Sequence, residues 1–373
     1  MIRLADPRFG DDALTAIAGV LASGRLTQGP SVEGFERAIA ELCGARHAVA
    51  TTSATTAIEL TLAAIGIGPG DDVAVADFTW PATGNAVLQR GAQPRLADAD
   101  PETYCVAPAA LERALTDHTK AAIAVDVFGL PADYRTIEPL LADRGIPLVC
   151  DAACALGGAI WERRVGRFGL ATCFSFHPRK SLTTGEGGMV VTDDDALADQ
   201  LRLLRNHGVR RDGWRATFVE PGFNFRMSDL NAALGLVQVP RHPATVRRRG
   251  QLAANLCARL ADVPGLRPQA VPEGFLHPYQ SFVVVLEDER LERNAVIAEL
   301  RELGVESTLG TYAMHAEPAF MARCGTRPGE LPNSHTLAER TLALPLHERL
   351  EEPDLETIAA AVASVTRSRA RTS

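Results

Sequence analysis

The feature that most limits the fold of this chain is a regular alternation of short apolar segments with segments of helical spacing, from about residue 47 to about residue 240. A strand buried in a parallel sheet is apolar along its whole length, because helices cover both faces of the sheet. The alternation therefore predicts an α/β fold with a mostly parallel sheet covered by helices. The predicted strands are HAVATT (47–52), DDVAVAD (71–77), QPRLADAD (93–100), AAIAVDVFG (121–129), IPLVCDAA (146–153), ATCFSF (171–176) and GGMVVTDD (187–194).

The two ends of the chain differ from this central part. Before the first strand, two helical segments finish on Gly24 and Gly44, the residue type expected just past a helix end. After residue 240 the chain reads as a long helix (about Thr245 to Leu260), an extended segment, further helices and a loop-rich stretch. We therefore predict a large domain of residues 1–243 and a smaller C-terminal α+β domain of residues 244–373.

Charge and cysteine usage narrow the class of protein. The 373 residues carry a formal net charge of -8, which leaves no excess of positive charge to meet nucleic-acid phosphates. No apolar run is long enough for a membrane span, and the N-terminus has no apolar signal region. The seven cysteines are scattered without a CxxC pair, so neither a zinc site nor a disulfide framework is predicted. We expect a reduced, cytoplasmic protein that binds neither nucleic acid nor membrane.

One lysine stands out in the stretch FSFHPRKSLTTGEGGM (174–189). The chain has only two lysines, Lys120 and Lys180, against 36 arginines among its 38 basic residues. An arginine side chain stays protonated in proteins, whereas a lysine amine can lose its proton and form a Schiff base. The retention of a lysine here favours a chemical role for Lys180 over that of a solvated loop residue.

Other candidate groups fall where predicted strands end, which is where open α/β sheets bind ligands. Asp151 closes the strand IPLVCD, Trp80 follows DDVAVADFT, and Thr55 and Thr56 lie between a strand and a helix. Each has an ordinary structural alternative: a loop anchor for Asp151, a core aromatic for Trp80, and a helix N-cap cluster for the threonines. Hydroxyl groups at a helix N-terminus also form phosphate sites.

Taken together, these groups describe the ligand pyridoxal 5'-phosphate. The amine of Lys180 would form an aldimine with its aldehyde, and Asp151 would hold its ring nitrogen protonated. Trp80 would stack on the ring. The phosphate would be bound by Thr55, Thr56 and Ser175, and no metal is called for.

The sequence resembles the DegT-type family of sugar aminotransferases, which are fold-type I enzymes dependent on pyridoxal phosphate. The resemblance covers nearly the whole chain, and the lysine segment with its GEGG tail is its most specific part. It is carried by these segments: SGRLTQGPSVEGFERAIAELCG, SATTAIELTLAAIGIGPGDDV, DFTWPATGNAVLQRGAQPRLADAD, CDAACALGG, FSFHPRKSLTTGEGGMVVTDD, GFNFRMSDLNAALGLVQ, TYAMHAEPAF and LPNSHTLAERTLALPLH.

The resemblance implies a fold-type I transferase whose large domain (1–243) binds the cofactor, and it implies roles for further residues. Lys180 moves the proton during catalysis. Asn224 reaches the phosphate of the neighbouring subunit, with Arg226 beside it, which implies a homodimer with shared active sites. The implied substrate-binding residues are Glu186, Arg226, Tyr312 and His315.

Three positions depart from the pattern of the family. Cys154 stands three residues after Asp151, where Gln or His is usual near the 3′-oxygen of the cofactor, and a thiol is a much weaker hydrogen-bond partner. Either the cofactor contact has changed or the substrate pocket needed room. Ala54 replaces a common Gly, and His335 lies where an acidic residue is frequent.

We therefore predict an aminotransferase that moves an amino group from an amino acid, L-glutamate, to a keto sugar linked to a nucleotide, by a ping-pong mechanism. An acceptor that is a keto-cyclitol or another ketone of an antibiotic pathway stays open, as does a non-catalytic regulatory scaffold that binds the cofactor. A sugar dehydratase is disfavoured, because such relatives carry histidine in place of the lysine. A nicotinamide dehydrogenase is disfavoured too, because GIGPGDD (66–72) follows a helix and does not match GxGxxG.

Overall fold

The computed structural model describes residues 1–371 and has a seven-stranded central sheet in the order β1-β10-β9-β6-β5-β2-β4. The strands are β1 His47–Thr51, β2 Asp72–Ala76, β3 Phe78–Thr79, β4 Gln93–Ala97, β5 Thr119–Val125, β6 Leu148–Asp151, β7 Ala159–Ile160, β8 Arg163–Arg164, β9 Ala171–Ser175, β10 Gly188–Thr192, β11 Val209–Asp212, β12 Arg215–Phe218, β13 Leu266–Pro268, β14 Phe275–Leu276, β15 Phe282–Leu286, β16 Thr308–Leu309, β17 Tyr312–Ala313 and β18 Thr341–Leu344.

The strand directions confirm the predicted mostly parallel sheet. Strands β9, β6, β5, β2 and β4 pair in parallel, and β10 runs antiparallel to both of its neighbours, β9 and β1. Strands β2, β6 and β10 are buried at every position, as expected where helices cover both faces. The carboxyl ends of six strands and the amino end of β10 therefore meet at one edge of the sheet.

Helices pack on this sheet and around the C-terminal sheet. They are α1 Asp11–Ser23, α2 Pro30–Cys43, α3 Ala54–Ala64, α4 Ala82–Gln89, α5 Pro108–Ala114, α6 Tyr134–Ala142, α7 Asp195–Arg205, α8 Asp229–Leu236, α9 His242–Leu260, α10 Arg293–Glu302, α11 Pro318–Cys324, α12 Pro332–Arg340 and α13 Glu352–Arg371. As predicted, α1 and α2 end at Gly24 and Gly44, which take the left-handed conformation that glycine adopts without strain. The short helices α5, α8, α11 and α12, of seven to nine residues, were not predicted.

The C-terminal part of the chain forms a second, antiparallel sheet in the order β13-β15-β18-β16. The long helix α9 leads into it and begins at His242, three residues earlier than the sequence predicts, with Pro243 in its first turn. The α+β character predicted for this part is present. The predicted domain boundary at 243/244 lies within α9 and stays a prediction.

Within residues 1–371, no helix combines the length and apolar character that a membrane crossing requires. The seven cysteines are free thiols. In the same part of the chain, no three His, Cys, Asp or Glu side chains lie close enough together to hold a metal ion.

Candidate active site

The predicted site residues gather at the edge where the parallel strands end. Asp151 is the last residue of β6 and pairs with Cys173 of β9, two residues before that strand ends at Ser175. Gly188 starts β10 and lies between Ser175 and Thr51, the last residue of β1. The order of the strands in the sheet differs from their order along the chain, so this edge brings together residues that are far apart in sequence.

Lys180 lies on the loop that follows β9 and points back toward the end of β6. Its Nζ atom is 3.0 Å from the Sγ atom of Cys154, and its backbone N–H donates to the carbonyl of His177 at 2.8 Å. The Lys180 charge also acts on Asp151, where it opposes the effect of burial. The structure therefore brings Lys180 near Asp151 and places the Cys154 thiol against the lysine amine.

Asp151 is a buried acid that has no ion-pair partner within hydrogen-bond distance in residues 1–371. Its side chain accepts hydrogen bonds from the Thr83 hydroxyl at 2.6 Å and from the Ala153 N–H at 3.2 Å. Burial nevertheless raises the pKa of Asp151 above its usual value. A buried carboxylate of this kind is stabilised when a cationic group is placed beside it.

Thr83 is a site residue that the sequence analysis missed. It lies in the first turn of α4 and is fully buried. Its hydroxyl donates to Asp151 and its backbone N–H donates to the Trp80 carbonyl at 3.4 Å, so it connects the Trp80 segment with Asp151. A threonine near a helix start is ordinary, and no spacing in the sequence shows which distant carboxylate its hydroxyl meets. The one available signal was its position in the same strand-to-helix turn as Trp80.

Trp80 is exposed rather than part of the core. Its side chain is 64% accessible, so the structural alternative of a core aromatic is wrong. Tyr312 lies beside it, with ring centroids 5.6 Å apart and ring planes at 70°. Trp80 directly follows β3, which pairs antiparallel with β17, the strand that carries Tyr312. An indole face is therefore open at the edge of the sheet, next to a predicted substrate residue.

The hydroxyl residues at the start of α3 include a helix N-cap and a group that is free to bind phosphate. Ser53 caps the helix: its Oγ atom accepts from the Thr56 N–H at 3.2 Å, and the Thr56 Oγ1 atom accepts from the Ser53 N–H at 3.0 Å. Thr55 is exposed in the first turn. The predicted phosphate role of Thr56 thus competes with a capping bond, whereas the hydroxyl of Thr55 faces solvent.

A close backbone contact places this helix start beside β9 and β10. A Cβ atom on Gly188 would lie 2.2 Å from the Ser53 carbonyl oxygen and 2.6 Å from the Ala54 nitrogen, so only glycine fits. Ser175 is the partner of Gly188 across the sheet, and its Oγ atom accepts from the His177 N–H at 3.4 Å. The predicted phosphate residues Thr55 and Ser175 therefore lie on adjoining segments.

Asn224 and Arg226 flank the same turn. The Thr52 N–H donates to the carbonyl of Phe225 at 3.0 Å, and Arg226 Nε donates to Asn224 Oδ1 at 3.0 Å. The side chain of Asn224 is exposed. Its predicted reach into a neighbouring subunit stays a prediction.

The remaining substrate candidates differ in exposure. Glu186 is exposed just before β10, and its charge acts on His177. His315 is fully buried: its Nδ1 atom is 2.6 Å from Asp77 Oδ2, and its N–H donates to Asp77 Oδ1 at 2.7 Å. Burial raises the pKa of Asp77. His315 thus anchors the Tyr312 segment to the end of β2 instead of presenting an open ring, and its predicted substrate contact stays a prediction.

A second buried acid lies at the end of the neighbouring strand. The backbone N–H of Asp126 donates to the Asp151 carbonyl at 3.0 Å, and its Oδ1 atom accepts from the Tyr134 hydroxyl at 2.6 Å and the Ala132 N–H at 2.8 Å. Its Oδ2 atom is buried without a hydrogen-bond partner among the described residues. Burial raises the pKa of Asp126 to about 8.

This pKa gives a prediction for the free energy of unfolding of the cofactor-free protein. Between about pH 4 and pH 8 the folded chain keeps a proton on Asp126 that the unfolded chain has lost, so this group makes stability fall as pH rises through that window. The variant Asp126→Asn has no such proton, and its stability should decline less between pH 5 and pH 8. Urea unfolding at several pH values measures both slopes, and identical slopes would contradict the assignment.

The cluster fits pyridoxal phosphate in each of its parts. A buried carboxylate without a hydrogen-bonded cation suits a protonated ring nitrogen, and the Lys180 amine suits an aldehyde. The open Trp80 face suits the ring. The start of α3, with Thr55 and the adjoining Ser175, offers hydroxyl groups and a helix N-terminus to the phosphate.

Comparisons with known proteins point to one family of aminotransferases. The model of the DegT/DnrJ/EryC1/StrS aminotransferase family matches residues 7–363. The aminotransferase TlmJ from Streptoalloteichus hindustanus is 33% identical, with a TM-score of 0.93 and 99% of both chains covered. PseC of Helicobacter pylori, an aminotransferase involved in the biosynthesis of pseudoaminic acid, is 26% identical, with a TM-score of 0.93 and coverage of 98% of this chain and 99% of PseC. Spr1654 from Streptococcus pneumoniae, a sugar aminotransferase candidate in its PMP form, is also 26% identical, with a TM-score of 0.95 and coverage of 100% of this chain and 99% of Spr1654.

Proposed function

This chain belongs to the DegT/DnrJ/EryC1/StrS aminotransferase family of pyridoxal-phosphate-dependent enzymes, and from that membership we propose that it transfers the amino group of L-glutamate to a keto sugar linked to a nucleotide. The observation that carries the proposal is the placement of the Lys180 amine beside Cys154, three residues past the buried acid Asp151. PseC and the Spr1654 candidate support a sugar as the acceptor.

When bound, pyridoxal phosphate carries the amino group from donor to acceptor, and its protonated ring withdraws electrons from the reacting carbon. Asp151 would hold the proton on the ring nitrogen. Thr83 and the Ala153 N–H orient that carboxylate by occupying one oxygen each. Trp80 would cover one face of the ring and exclude water from it.

Lys180 has two tasks in this proposal. Its amine would hold the cofactor at the aldehyde, and its Nζ atom would accept the proton from the α-carbon of the donor. The Cys154 thiol at 3.0 Å is a weak hydrogen-bond partner and a small group, so it leaves the amine free to move between these tasks. Water would supply the carbonyl oxygen with which the donor leaves as a keto acid, before the acceptor binds, and this order gives ping-pong kinetics.

The substrate and subunit assignments rest on polar side chains around the site: Arg226, Tyr312 and Asn224. The Arg226 guanidinium matches the geometry of the carboxylate of an amino-acid donor. Tyr312 would line the acceptor pocket beside Trp80. We also propose a homodimer in which the exposed Asn224 serves the phosphate site of the other subunit.

An absorption spectrum of the purified protein with added pyridoxal phosphate tests the proposal. We expect a visible band from lysine-bound cofactor, its loss on addition of L-glutamate, and release of 2-oxoglutarate. A band that glutamate leaves unchanged contradicts the donor, and the absence of any band contradicts cofactor attachment and favours the non-catalytic scaffold.

The acceptor is tested next on the amino form of the enzyme. Recovery of the band with a nucleoside-diphosphate keto sugar, but not with the free keto sugar, supports the proposed substrate class. Recovery with a keto-cyclitol or another ketone, and not with the nucleotide-linked sugar, assigns the alternative acceptor instead.

A further inference from the structure

The two peptide groups that flank Lys180 are held by one side chain from the C-terminal part of the chain. Gln280 Nε2 donates to the Arg179 carbonyl at 2.5 Å, and Gln280 Oε1 accepts from the Ser181 N–H at 3.0 Å. A single amide thus satisfies an acceptor immediately before the lysine and a donor immediately after it. The Gln280 side chain is 9% exposed, so water competes little for these bonds.

Gln280 is itself fixed by its surroundings. It lies two residues before β15, the strand between β13 and β18 in the second sheet. Its carbonyl accepts from Nη2 of the buried Arg249 at 2.8 Å, and the next N–H, that of Ser281, donates to the Phe128 carbonyl at 3.2 Å. We call the two hydrogen bonds from the Gln280 amide to Arg179 and Ser181 the clamp. The clamp connects the loop that carries Lys180 with helix α9, which carries Arg249, and with the second sheet.

Close packing leaves this arrangement little freedom. Gly129 has a φ of +113°, and a Cβ atom there would lie 2.9 Å from the Cys154 carbonyl and 3.2 Å from the Gln280 nitrogen. The backbone segments that carry the thiol and the glutamine thus close on the same glycine. The far side of the loop is held as well, since His242 Nε2 lies 3.1 Å from Ser181 Oγ.

We propose that Gln280 is the positioning residue for Lys180: its amide fixes the orientation of the Arg179–Ser181 backbone, so that the lysine amine is directed toward Cys154 and Asp151. The position of the second sheet is thereby coupled to the position of the reactive amine. The importance of the clamp for catalysis rests on the proposed function, but the clamp itself is tested without cofactor or substrate.

The scarcity of lysine makes the test direct. The cofactor-free, full-length protein is acetylated with a trace of acetic anhydride, and peptide mass spectrometry gives the labelling of Lys180 relative to the exposed Lys120. In the wild type, Lys180 should react more slowly than Lys120, because it is partly buried and bonded to Cys154. In Gln280→Ala the ratio should rise at least about fivefold, the factor that corresponds to loss of one hydrogen bond.

Two further variants separate positioning from general loosening. Gln280→Glu keeps the acceptor for Ser181 and loses the donor to Arg179. Its ratio of Lys180 to Lys120 labelling should therefore lie between those of the wild type and the alanine variant. This variant also provides the measurement if the alanine variant does not fold. Gln269→Ala removes another partly buried glutamine, whose amide donates to the carbonyls of Thr103 and Val127, and should leave the ratio unchanged.

An unchanged ratio in both Gln280 variants, or an equal rise in Gln269→Ala, overturns the clamp. An unchanged ratio in an enzyme that passes the glutamate test shows that the clamp alone is wrong. A raised ratio in a protein that fails that test supports the clamp and leaves only the proposed function in error.

Discussion

Replacing Lys180 with alanine should lower the rate of amino transfer by at least about 10³-fold, because the change removes both the group that attaches the cofactor and the base that moves the proton. The Lys180→Arg variant should lose as much, since a guanidinium keeps the charge but not the ability to give up a proton. The visible band of lysine-bound cofactor should be absent from both variants. Stopped assays with L-glutamate and the acceptor measure the rates.

Lys120→Ala is the matched control. Lys120 is exposed at the start of β5, and its loss should leave both rate and spectrum unchanged. A Lys180→Ala variant that keeps more than about one tenth of the wild-type rate would show that the base lies elsewhere.

The same variant tests whether the active sites are shared. Mixed dimers of Lys180→Ala with Asn224→Ala contain one site with both residues intact if Asn224 serves the partner, and none if it serves its own subunit. Random mixing of two inactive dimers should then restore about one quarter of the wild-type activity. No recovery after subunit exchange would contradict the shared site.

Asp151→Asn is expected to lower the rate about 100-fold while leaving the cofactor-free protein folded. The amide is neutral and cannot hold a proton on the ring nitrogen, and the factor corresponds to loss of a charge-assisted hydrogen bond. Burial raises the pKa of Asp151 in the folded protein. Between the ordinary pKa and this raised pKa, the free energy of unfolding of the cofactor-free protein therefore falls as pH rises. Thermal unfolding of the empty variant at pH 8 should therefore occur at a temperature no lower than that of the wild type.

Asp126→Asn provides a matched control, because it makes the same change in a buried acid at the end of the neighbouring strand. Its amino-transfer rate should stay close to that of the wild type. An equal loss of amino-transfer rate in the two variants would show that a buried carboxylate at this edge affects the rate through the stability of the fold and not through the ring nitrogen of the cofactor.

Lys180 and Asp151 could be identified from the sequence because of their residue type and position. A lone lysine among arginines and an acid closing an apolar strand are visible without a structure, and the fold then brings Lys180 and Asp151 to adjoining strand ends. The alternation of strands and helices also predicted the mostly parallel sheet, since burial on both faces dictates apolar strands.

What the sequence could not show is which distant group each polar side chain meets. Thr83 and Gln280 are common residue types in unremarkable contexts, and their roles follow from contacts across 68 and 101 residues of chain. His315 illustrates the reverse case, because the resemblance implies a substrate-binding residue while its ring is buried against Asp77. Contacts between residues that are distant in sequence decide these outcomes, and the local spacing of residue types does not predict such contacts.

The reversed direction of β10 has a consequence for how this site can change. Because β10 runs against β9, residues 176–187 leave the sheet and re-enter it at the same edge, one strand spacing of about 4.8 Å away. A parallel successor would need a crossover to the opposite edge. The free-energy cost of closing such a loop grows only with the logarithm of its length. The length of this loop is therefore limited less by the cost of closing it than by the contacts of Gln280 and His242, which an insertion beside Lys180 would disrupt.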